Sequence, residues 1–284
     1  MFKLIDGKKI AKSLRERLKT DIAEYKDKNG REIGLAVVLA GDNQASQVYV
    51  RNKIKACEEV GIKSFAYYLP EEVSENELEE LIKTLASDDN ICGVLVQLPL
   101  PAHIDAEKIQ RLIPVSKDVD GFSAENIGKL CLKEDGLIPC TPNGIMQMLA
   151  FEGIEVTGKR AVVLGRSDIV GKPMAMLLLN ANATVTVCHS KTVNLKEECL
   201  KADILVSAVG KAKFVTEDMV KEGAVVIDVG MNLDADGSLC GDVDFEAVKG
   251  KCSYITPVPG GVGPMTITML MYNTFKAATE NKID

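Results

Sequence analysis

The sequence lacks the features that mark several classes of protein. No apolar run approaches the roughly 18 residues that a membrane span needs, and the first residues, MFKLIDGKKI, contain no apolar stretch of the secretory kind. Lys and Arg form no dense cluster, and the net charge is -7 at pH 7. We therefore expect a cytoplasmic protein that contacts neither membranes nor nucleic acid.

Eight cysteines are present, but no two of them form a CxxC pair and no spacing is typical of a zinc site. Several of them lie inside apolar segments such as ICGVLV (91–96). This pattern predicts reduced, mostly buried thiols and no bound metal. The chain also contains no internal repeat and no low-complexity tract.

What the sequence does contain is an almost continuous alternation of helical and strand patterns. Hydrophobic residues make up 46% of the 284 residues, which is enough for one large or two ordinary domains. The first half has the order β-α-β-α-β, which favours a parallel sheet covered by helices. The strands predicted there are 34–41, 63–70 and 93–101, and the helices are 8–28, 45–60 and 75–87.

The second half repeats this alternation after a segment, 114–140, that we interpret as a functional loop. Thr141 and Pro142 then predict a helix start, with Thr as N-cap and Pro at the first helical position. The elements predicted after it are strands 159–165, 183–190, 202–210, 223–230 and 252–256, a helix near 169–180 and a closing helix at 264–279.

These patterns predict an α/β protein with two α/β domains, each built on a parallel sheet. Residues 1–140 would form the first domain, and residues 141–264 a Rossmann-like second domain. The closing helix, within 265–284, is expected to pack back on the first domain.

The turn after strand 159–165 is the sharpest candidate for a dinucleotide site. Here GRSDIVGKP leads directly into a helix, and small residues with free N–H groups at a helix start suit a phosphate. Gly165 and Gly171 do not have G-x-G-x-x-G spacing, so an ordinary strand-to-helix turn is the alternative. The next strand ends CHSK (188–191) without an acid, and Arg166 adds positive charge, which favours NADP over NAD.

Candidate reacting groups lie in the first half. Ser46, Tyr49 and Lys53 share one helix face, although a solvated lysine and ordinary Tyr/Lys packing are the alternatives. Gln97 lies in VQLPLP, among apolar neighbours where a polar side chain needs a partner.

Two Gly-containing segments are further candidates. Asp118 and Asp120 flank a tight turn in KDVDGF, where aspartates are commonly turn formers. The segment TPVPGGVGP (256–264) is a rigid, irregular loop before a helix, which suits either a linker or close approach of a ligand.

Seven segments together resemble the successive motifs of the bifunctional methylenetetrahydrofolate dehydrogenase/methenyltetrahydrofolate cyclohydrolase family. In chain order they are SQVYVRNK, VQLPLP, KDVDGF, PCTPNGI, GRSDIVGKP, CHSKT and PVPGGVGPMT. They follow the family's order from residue 46 to beyond 265, and no motif is missing. The resemblance implies two domains facing a cleft, with folate on the first, NADP on the second, and a homodimer formed through the cofactor domain.

The resemblance also implies roles for particular residues. Lys53 would be the catalytic lysine, Tyr49 would stack on or orient the folate, and Gln97 would hydrogen-bond Lys53 and tune its protonation. Asp120 would bind the polar edge of the pterin ring. The other folate-site residues implied are Val96, Leu98, Pro259, Gly260 and Gly261. The cofactor-site residues implied are Gly165, Arg166, Ser167, Ser190 and Met231, the last through its backbone.

The reaction implied is NADP-dependent oxidation of 5,10-methylenetetrahydrofolate to the methenyl form, followed by its hydrolysis to 10-formyltetrahydrofolate. Three rivals stay open on sequence alone. One is another NADP-linked dehydrogenase that acts on an amino or hydroxy acid. The second is a dinucleotide-binding sensor without turnover, and the third is a relative that kept one of the two activities.

Overall fold

The computed structural model describes residues 2–280, which form two compact units. The three-stranded unit contains residues 13–129, 135–140 and 267–280, and the six-stranded unit contains residues 2–12, 130–134 and 141–266. Both units are α/β and both are built on parallel sheets, as predicted. Within the described residues, no helix combines the length and the apolar character needed to cross a bilayer.

The elements are numbered in chain order. The strands are β1 (Lys3–Leu4), β2 (Gly34–Ala40), β3 (Lys63–Leu69), β4 (Gly93–Val96), β5 (Arg160–Leu164), β6 (Thr184–Cys188), β7 (Ile204–Ser207), β8 (Val225–Asp228), β9 (Asn232–Leu233), β10 (Leu239–Cys240) and β11 (Tyr254–Ile255). The α-helices are α1 (Gly7–Asn29), α2 (Gln44–Val60), α3 (Glu75–Ser87), α4 (Ala106–Arg111), α5 (Ala124–Leu132), α6 (Cys140–Phe151), α7 (Gly171–Asn180), α8 (Leu195–Cys199), α9 (Phe245–Val248) and α10 (Val262–Glu280).

The three-stranded unit has the strand order β3-β2-β4, with every pair parallel. Every residue of β2 is buried, which explains why this central strand is a continuous apolar run rather than an alternating one. Helix α3 begins at the predicted capping box, in which the Ser74 and Glu77 side chains each accept a hydrogen bond from the other's backbone N–H. Its buried face, Leu78, Ile82 and Leu85, packs into the core beneath β4.

The six-stranded unit has the strand order β1-β11-β8-β7-β5-β6, again all parallel. The carboxyl ends of β5, β7 and β8 therefore lie side by side in the sheet, where ligands of such folds gather. Residues 2–12 group with this unit because Lys3 and Leu4 of β1 pair with Tyr254 and Ile255 of β11. The short strands β9 and β10 form a separate antiparallel pair.

Several local expectations were wrong. The segment 114–140 is not one loop: it contains a 3-10 helix, Val115–Lys117, and the helix α5. Strand β4 ends at Val96, five residues before the predicted end, because the following segment contains prolines that cannot donate to a ladder. Helix α6 begins at Cys140, so Thr141 is not its N-cap; the Thr141 hydroxyl instead lies 2.8 Å from the Thr266 hydroxyl.

The eight cysteines are all free thiols, as predicted. Six of them are buried, Cys240 is half-buried and Cys131 is exposed. Burial raises the pKa of the Cys57 thiol to about 11 and that of Cys199 to about 12, so these groups are held in the unreactive thiol form. They act as small apolar core residues.

Candidate active site

A lysine and a glutamine from two different elements meet in the three-stranded unit. Lys53 lies on α2, and Gln97 directly follows the last residue of β4, Val96. The Lys53 Nζ donates to Gln97 Oε1 at 2.9 Å. Gln97 Nε2 in turn donates to the Leu98 carbonyl at 2.6 Å, so both ends of the amide are fixed. The partner that Gln97 was expected to need is therefore the predicted lysine.

The N-cap of helix α2 fixes where the helix begins and therefore where Lys53 lies along it. Asn43 caps the helix, and its side chain accepts from the backbone N–H of Ser46 at 3.0 Å. Ser46 is buried, whereas Tyr49 and Lys53 are half-buried one and two turns further along. Burial raises the pKa of the Tyr49 phenol, which keeps it protonated and able to donate a hydrogen bond.

The two aspartates of KDVDGF have different environments. Asp118 is 6% exposed, and its carboxylate accepts hydrogen bonds from the backbone N–H groups of Gly121, Phe122 and Ser123 and from the Asn126 amide. These bonds occupy its oxygens and make it the organiser of the turn.

Asp120 is held by the same turn but has a different electrostatic state. Burial raises the pKa of Asp120 to about 6, against the opposing effect of the Lys53 ammonium, and the Asp118 charge raises it further. A carboxyl group that titrates near neutral pH beside a lysine is typical of a functional site rather than of an ordinary turn. The Lys53 charge thus acts on Asp120, and the folate role of Asp120 stays a prediction.

The predicted segment Pro259–Gly261 lies in the six-stranded unit, in the loop between β11 and α10. Pro259 is exposed and Gly261 is buried. A side chain on Gly7, at the start of α1, would come within 1.8 Å of the Gly261 carbonyl oxygen, so the two backbones touch. The Lys8 N–H donates to the Gly260 carbonyl at 3.2 Å and fixes the loop at this point.

The turn after β5 has the geometry of a close backbone approach. Gly165 has φ +112°, and a Cβ there would lie 2.3 Å from the Ala208 carbonyl oxygen, so neither the conformation nor the space admits a side chain. The expectation of free N–H groups at the following helix start needs a correction. Ser167 Oγ accepts from the N–H groups of both Val170 and Gly171 at 3.3 Å, so these groups already have a partner.

The other predicted cofactor residues are at the same edge of the sheet and open to solvent. Arg166, Ser167 and Ser190 are exposed, and Met231, in the short segment between β8 and β9, is 51% exposed. His189 Nδ1 accepts from the Lys191 N–H at 3.2 Å, which assigns this imidazole a local role in the turn. The chain thus offers a serine hydroxyl and an arginine, with no carboxylate in 188–191, where a 2′-phosphate would bind.

Sequence reasoning missed a buried carboxylate that organises this edge. Asp242 is 0% exposed and accepts hydrogen bonds from the N–H groups of Val209, Gly210 and Lys211 and from the Asn232 amide. It therefore joins the loop after β7 to the one after β8. The only signal was the Gly-Asp pair at 241–242, which is indistinguishable from an ordinary turn until the fold is known.

Asp228, at the end of β8, supports the same edge. Its carboxylate accepts from the N–H groups of Gly230, Asp242 and Val243, each at 2.9 Å. Burial raises the pKa of Asp228 to about 6, and these backbone hydrogen bonds oppose that rise. Among residues 2–280, no group of three or more His, Cys, Asp or Glu side chains is arranged to hold a metal ion.

Two family models together match most of the chain. The catalytic domain of tetrahydrofolate dehydrogenase/cyclohydrolase matches residues 5–120, and the NAD(P)-binding domain of the same enzymes matches residues 139–282. The chain belongs to the tetrahydrofolate dehydrogenase/cyclohydrolase family. Within this family assignment, the catalytic-domain match contains Lys53, Gln97 and Asp120, and the NAD(P)-binding match contains the turn after β5.

Individual members of the tetrahydrofolate dehydrogenase/cyclohydrolase family are similar along their whole length. The bifunctional protein FolD of Campylobacter concisus is 59% identical over 276 residues, covering 97% of each chain. A crystal structure of the bifunctional FolD methylenetetrahydrofolate dehydrogenase/cyclohydrolase from Campylobacter jejuni has a TM-score of 0.97 at 52% identity, covering 99% of this chain and 100% of that one. The Trypanosoma brucei enzyme, solved with NADP cofactor and an inhibitor, has a TM-score of 0.94 at 39% identity, covering 98% and 97%.

Proposed function

We propose that this chain oxidises 5,10-methylenetetrahydrofolate with NADP⁺ and then hydrolyses the methenyl product to 10-formyltetrahydrofolate. Membership of the tetrahydrofolate dehydrogenase/cyclohydrolase family supports both activities. The observation that carries the proposal is the 2.9 Å hydrogen bond between Lys53 Nζ and Gln97 Oε1, beside the partly desolvated Asp120. Ordinary surface lysines have neither a neutral, half-buried amide as a partner nor a perturbed carboxyl group beside them.

Folate binding would use the groups around this lysine. The ionised Asp120 carboxylate would accept hydrogen bonds from the N–H groups at the polar edge of the pterin ring. Tyr49, half-buried on the same helix face as Lys53, would stack on or orient the ring system. Val96 and Leu98, on either side of Gln97, would supply apolar contacts. The folate role that the resemblance implies for Pro259, Gly260 and Gly261, in the six-stranded unit, stays a prediction.

The oxidation step requires mainly that the protein align the methylene bridge of the folate with the nicotinamide. Removing a hydride from the methylene bridge leaves a cation that the two flanking nitrogen lone pairs stabilise, so no protein base is needed for this step. The groups that fix the folate would therefore dominate the dehydrogenase rate. Bound NADP⁺ supplies the hydride acceptor.

The hydrolysis step requires proton transfer. The water oxygen bonds to the methenyl carbon and one water proton is released. The second water proton moves to N5 as the bond from that carbon to N5 breaks, which gives the 10-formyl product. The cationic methenyl group disfavours a second positive charge nearby, so the Lys53 amine would be available as the base that takes the proton from water. Gln97 would hold the amine at hydrogen-bond distance without adding a charge that favours the ammonium form.

The six-stranded unit supports NADP as the cofactor. The exposed Arg166 guanidinium and the exposed hydroxyls of Ser167 and Ser190 suit a phosphate-rich ligand. Met231 would contact the cofactor through its backbone. Asp242, which accepts three backbone N–H groups from 209–211, would hold the loop beside it.

The direct test supplies 5,10-methylenetetrahydrofolate with NADP⁺ or NAD⁺ and follows reduced cofactor, methenyl and formyl products together. We expect NADPH, a transient methenyl species and 10-formyltetrahydrofolate, with a preference for NADP⁺. Formation of NADPH without the formyl product would mean that the chain has only the dehydrogenase activity. Tight NADP binding without any folate-dependent reaction would support the sensor instead.

We also infer a cytoplasmic homodimer formed through the six-stranded unit. Strand β6 is at the edge of that sheet. Val187 on this strand is 39% exposed, and Leu179 on helix α7 is 52% exposed. Apolar side chains at a sheet edge are suited to a second copy of the chain. Sedimentation of the protein with Val187→Lys should give monomers where the unmodified chain gives dimers, and unchanged sedimentation would exclude this edge as the interface.

A further inference from the structure

The last long helix of the chain provides a buried amide that holds the turn carrying Asp120. Asn273 on α10 is 4% exposed and lies in the three-stranded unit. Its Nδ2 donates to the Val119 carbonyl and to the Ile138 carbonyl, both at 2.8 Å. An amide nitrogen has two hydrogens, so these two bonds use its full donor capacity.

The two carbonyls belong to different segments. Val119 directly precedes Asp120, whereas Ile138 lies in the stretch that leads into α6. The Cys140 thiol adds a weaker bond to the Val119 carbonyl at 3.3 Å, and Asn273 Nδ2 lies 3.6 Å from the same sulfur. Asn273 thus fastens the peptide before Asp120 to a neighbouring segment and to α10.

The opposite side of the turn is fixed separately. The Asp118 carboxylate accepts from the N–H groups of Gly121 and Ser123 at 3.1 and 2.8 Å. The backbone of Asp120 is therefore held on both sides. Asn273 bonds to the residue before it, Val119, and the Asp118 carboxylate bonds to residues after it. A side chain on a clamped backbone retains one geometry toward its ligand, and small displacements at such a site weaken binding strongly.

We propose that Asn273 is a positioning residue for folate binding, which acts by fixing the Asp120 carboxylate through the Val119 carbonyl. The inference rests on the proposed function, in which Asp120 binds the folate. Asn273 is 4% exposed and both of its N–H groups are used on backbone carbonyls, so its proposed effect on the folate passes through the backbone.

A double-mutant cycle tests whether Asn273 acts through Asp120. Asn273→Leu keeps the approximate side-chain volume and removes both donors, and it is made in the full chain alone and with Asp120→Ala. The dissociation constant for tetrahydrofolate is measured by fluorescence titration, and the KM for NADP⁺ is measured in parallel. The matched control is Thr274→Val, which removes a hydroxyl that is equally buried on α10 but bonds only to the Leu270 carbonyl of its own helix, at 2.8 Å.

We expect Asn273→Leu to weaken folate binding about tenfold in the unmodified background and less than twofold with Asp120→Ala, because the two substitutions remove the same contact. The KM for NADP⁺ and the Thr274→Val protein should change less than twofold. Asn273→Ser, which retains one hydroxyl donor, is the second variant if the leucine protein does not fold, and it should show the same pattern with a smaller effect.

Two results would overturn the inference in distinguishable ways. Equal losses of folate affinity in both backgrounds would mean that Asn273 affects the fold generally rather than Asp120, and the proposed function would stand. Unchanged folate affinity in Asp120→Ala alone would remove the folate role of Asp120, and the positioning role of Asn273 would fall with it.

Discussion

Replacing Lys53 by methionine should separate the two reactions. The substitution keeps a side chain of similar length and removes the amine. Hydrolysis of the methenyl group should fall by about 10²- to 10⁴-fold, the usual contribution of a positioned acid–base group. Hydride transfer should stay within roughly tenfold of the unmodified rate, because that step depends on alignment rather than on a protein base.

The Lys53→Met substitution should also change the stability of the protein and the pKa of Asp120. Gln97 Oε1 would lose the donor that lies 2.9 Å away, at a cost of about 1 kcal/mol in the free energy of unfolding, since Gln97 is only half-buried. The Lys53 ammonium lowers the pKa of Asp120, so its removal should raise that pKa above its present value of about 6. Folate binding at pH 7 should therefore weaken slightly, and the assays need saturating folate.

The two rates can be measured independently. Hydrolysis is followed by the loss of methenyltetrahydrofolate without cofactor, and oxidation by NADPH formation from methylenetetrahydrofolate. Lys55→Met, on an exposed position of the same helix, is the matched control and should leave both rates unchanged. Hydrolysis within threefold of the unmodified rate in Lys53→Met would refute the role of the amine.

Three further predictions concern single residues of the two units. Because burial raises the pKa of Asp120 to about 6, folate affinity should be constant above about pH 7 and fall about tenfold per pH unit below pH 6 as the carboxylate is protonated. The folate affinity of Asp120→Asn should show no such dependence on pH. A flat pH profile for the unmodified chain would contradict the role of Asp120. Gly165→Ala should lower the free energy of unfolding in urea by more than about 2 kcal/mol, because the new Cβ would lie 2.3 Å from the Ala208 oxygen at φ +112°. Gly158→Ala, at φ +74° with nothing within 4 Å, measures the strain alone, and equal losses would exclude a packing role. Arg166→Gln should weaken NADP⁺ binding about tenfold and NAD⁺ binding little in calorimetric titrations; equal losses would mean that the guanidinium does not contact the 2′-phosphate.

Elements that depend on local chemistry were predictable. Helix α3 begins and ends where its capping box and periodicity indicate, since Ser74 and Glu77 satisfy each other without help from the rest of the chain. The buried strands β2, β5 and β8 were equally clear because a short, continuous apolar run is typical of a buried strand in a parallel sheet.

Helix α5 was not found because much of its stability comes from distant partners. Asn126 donates to the Asp118 carboxylate and to the Val115 carbonyl, and it accepts from the Leu137 N–H. The one local signal was Ser123, whose hydroxyl accepts from the Asn126 N–H at 3.3 Å as a helix cap. Gly128 within the helix obscured the pattern further.

The residues of the candidate site also differ in how far the sequence alone indicates them. Lys53, Gln97 and Asp120 could be proposed as site residues because their sequence motifs are specific, but the Lys53–Gln97 hydrogen bond and the pKa of Asp120 follow only from the fold. Asp242 and Asn273 had no usable signal. Each is a single polar residue whose partners lie many residues away in the chain.

The most direct test of the account is a crystal structure of the chain with NADP⁺ and a folate substrate analogue. We expect the one-carbon bridge of the folate within about 3 to 5 Å of the Lys53 Nζ, close enough for contact directly or through one water. We also expect the pterin edge on the Asp120 carboxylate. A folate bound elsewhere, with the lysine amine remote from the bridge, would contradict the proposed chemistry.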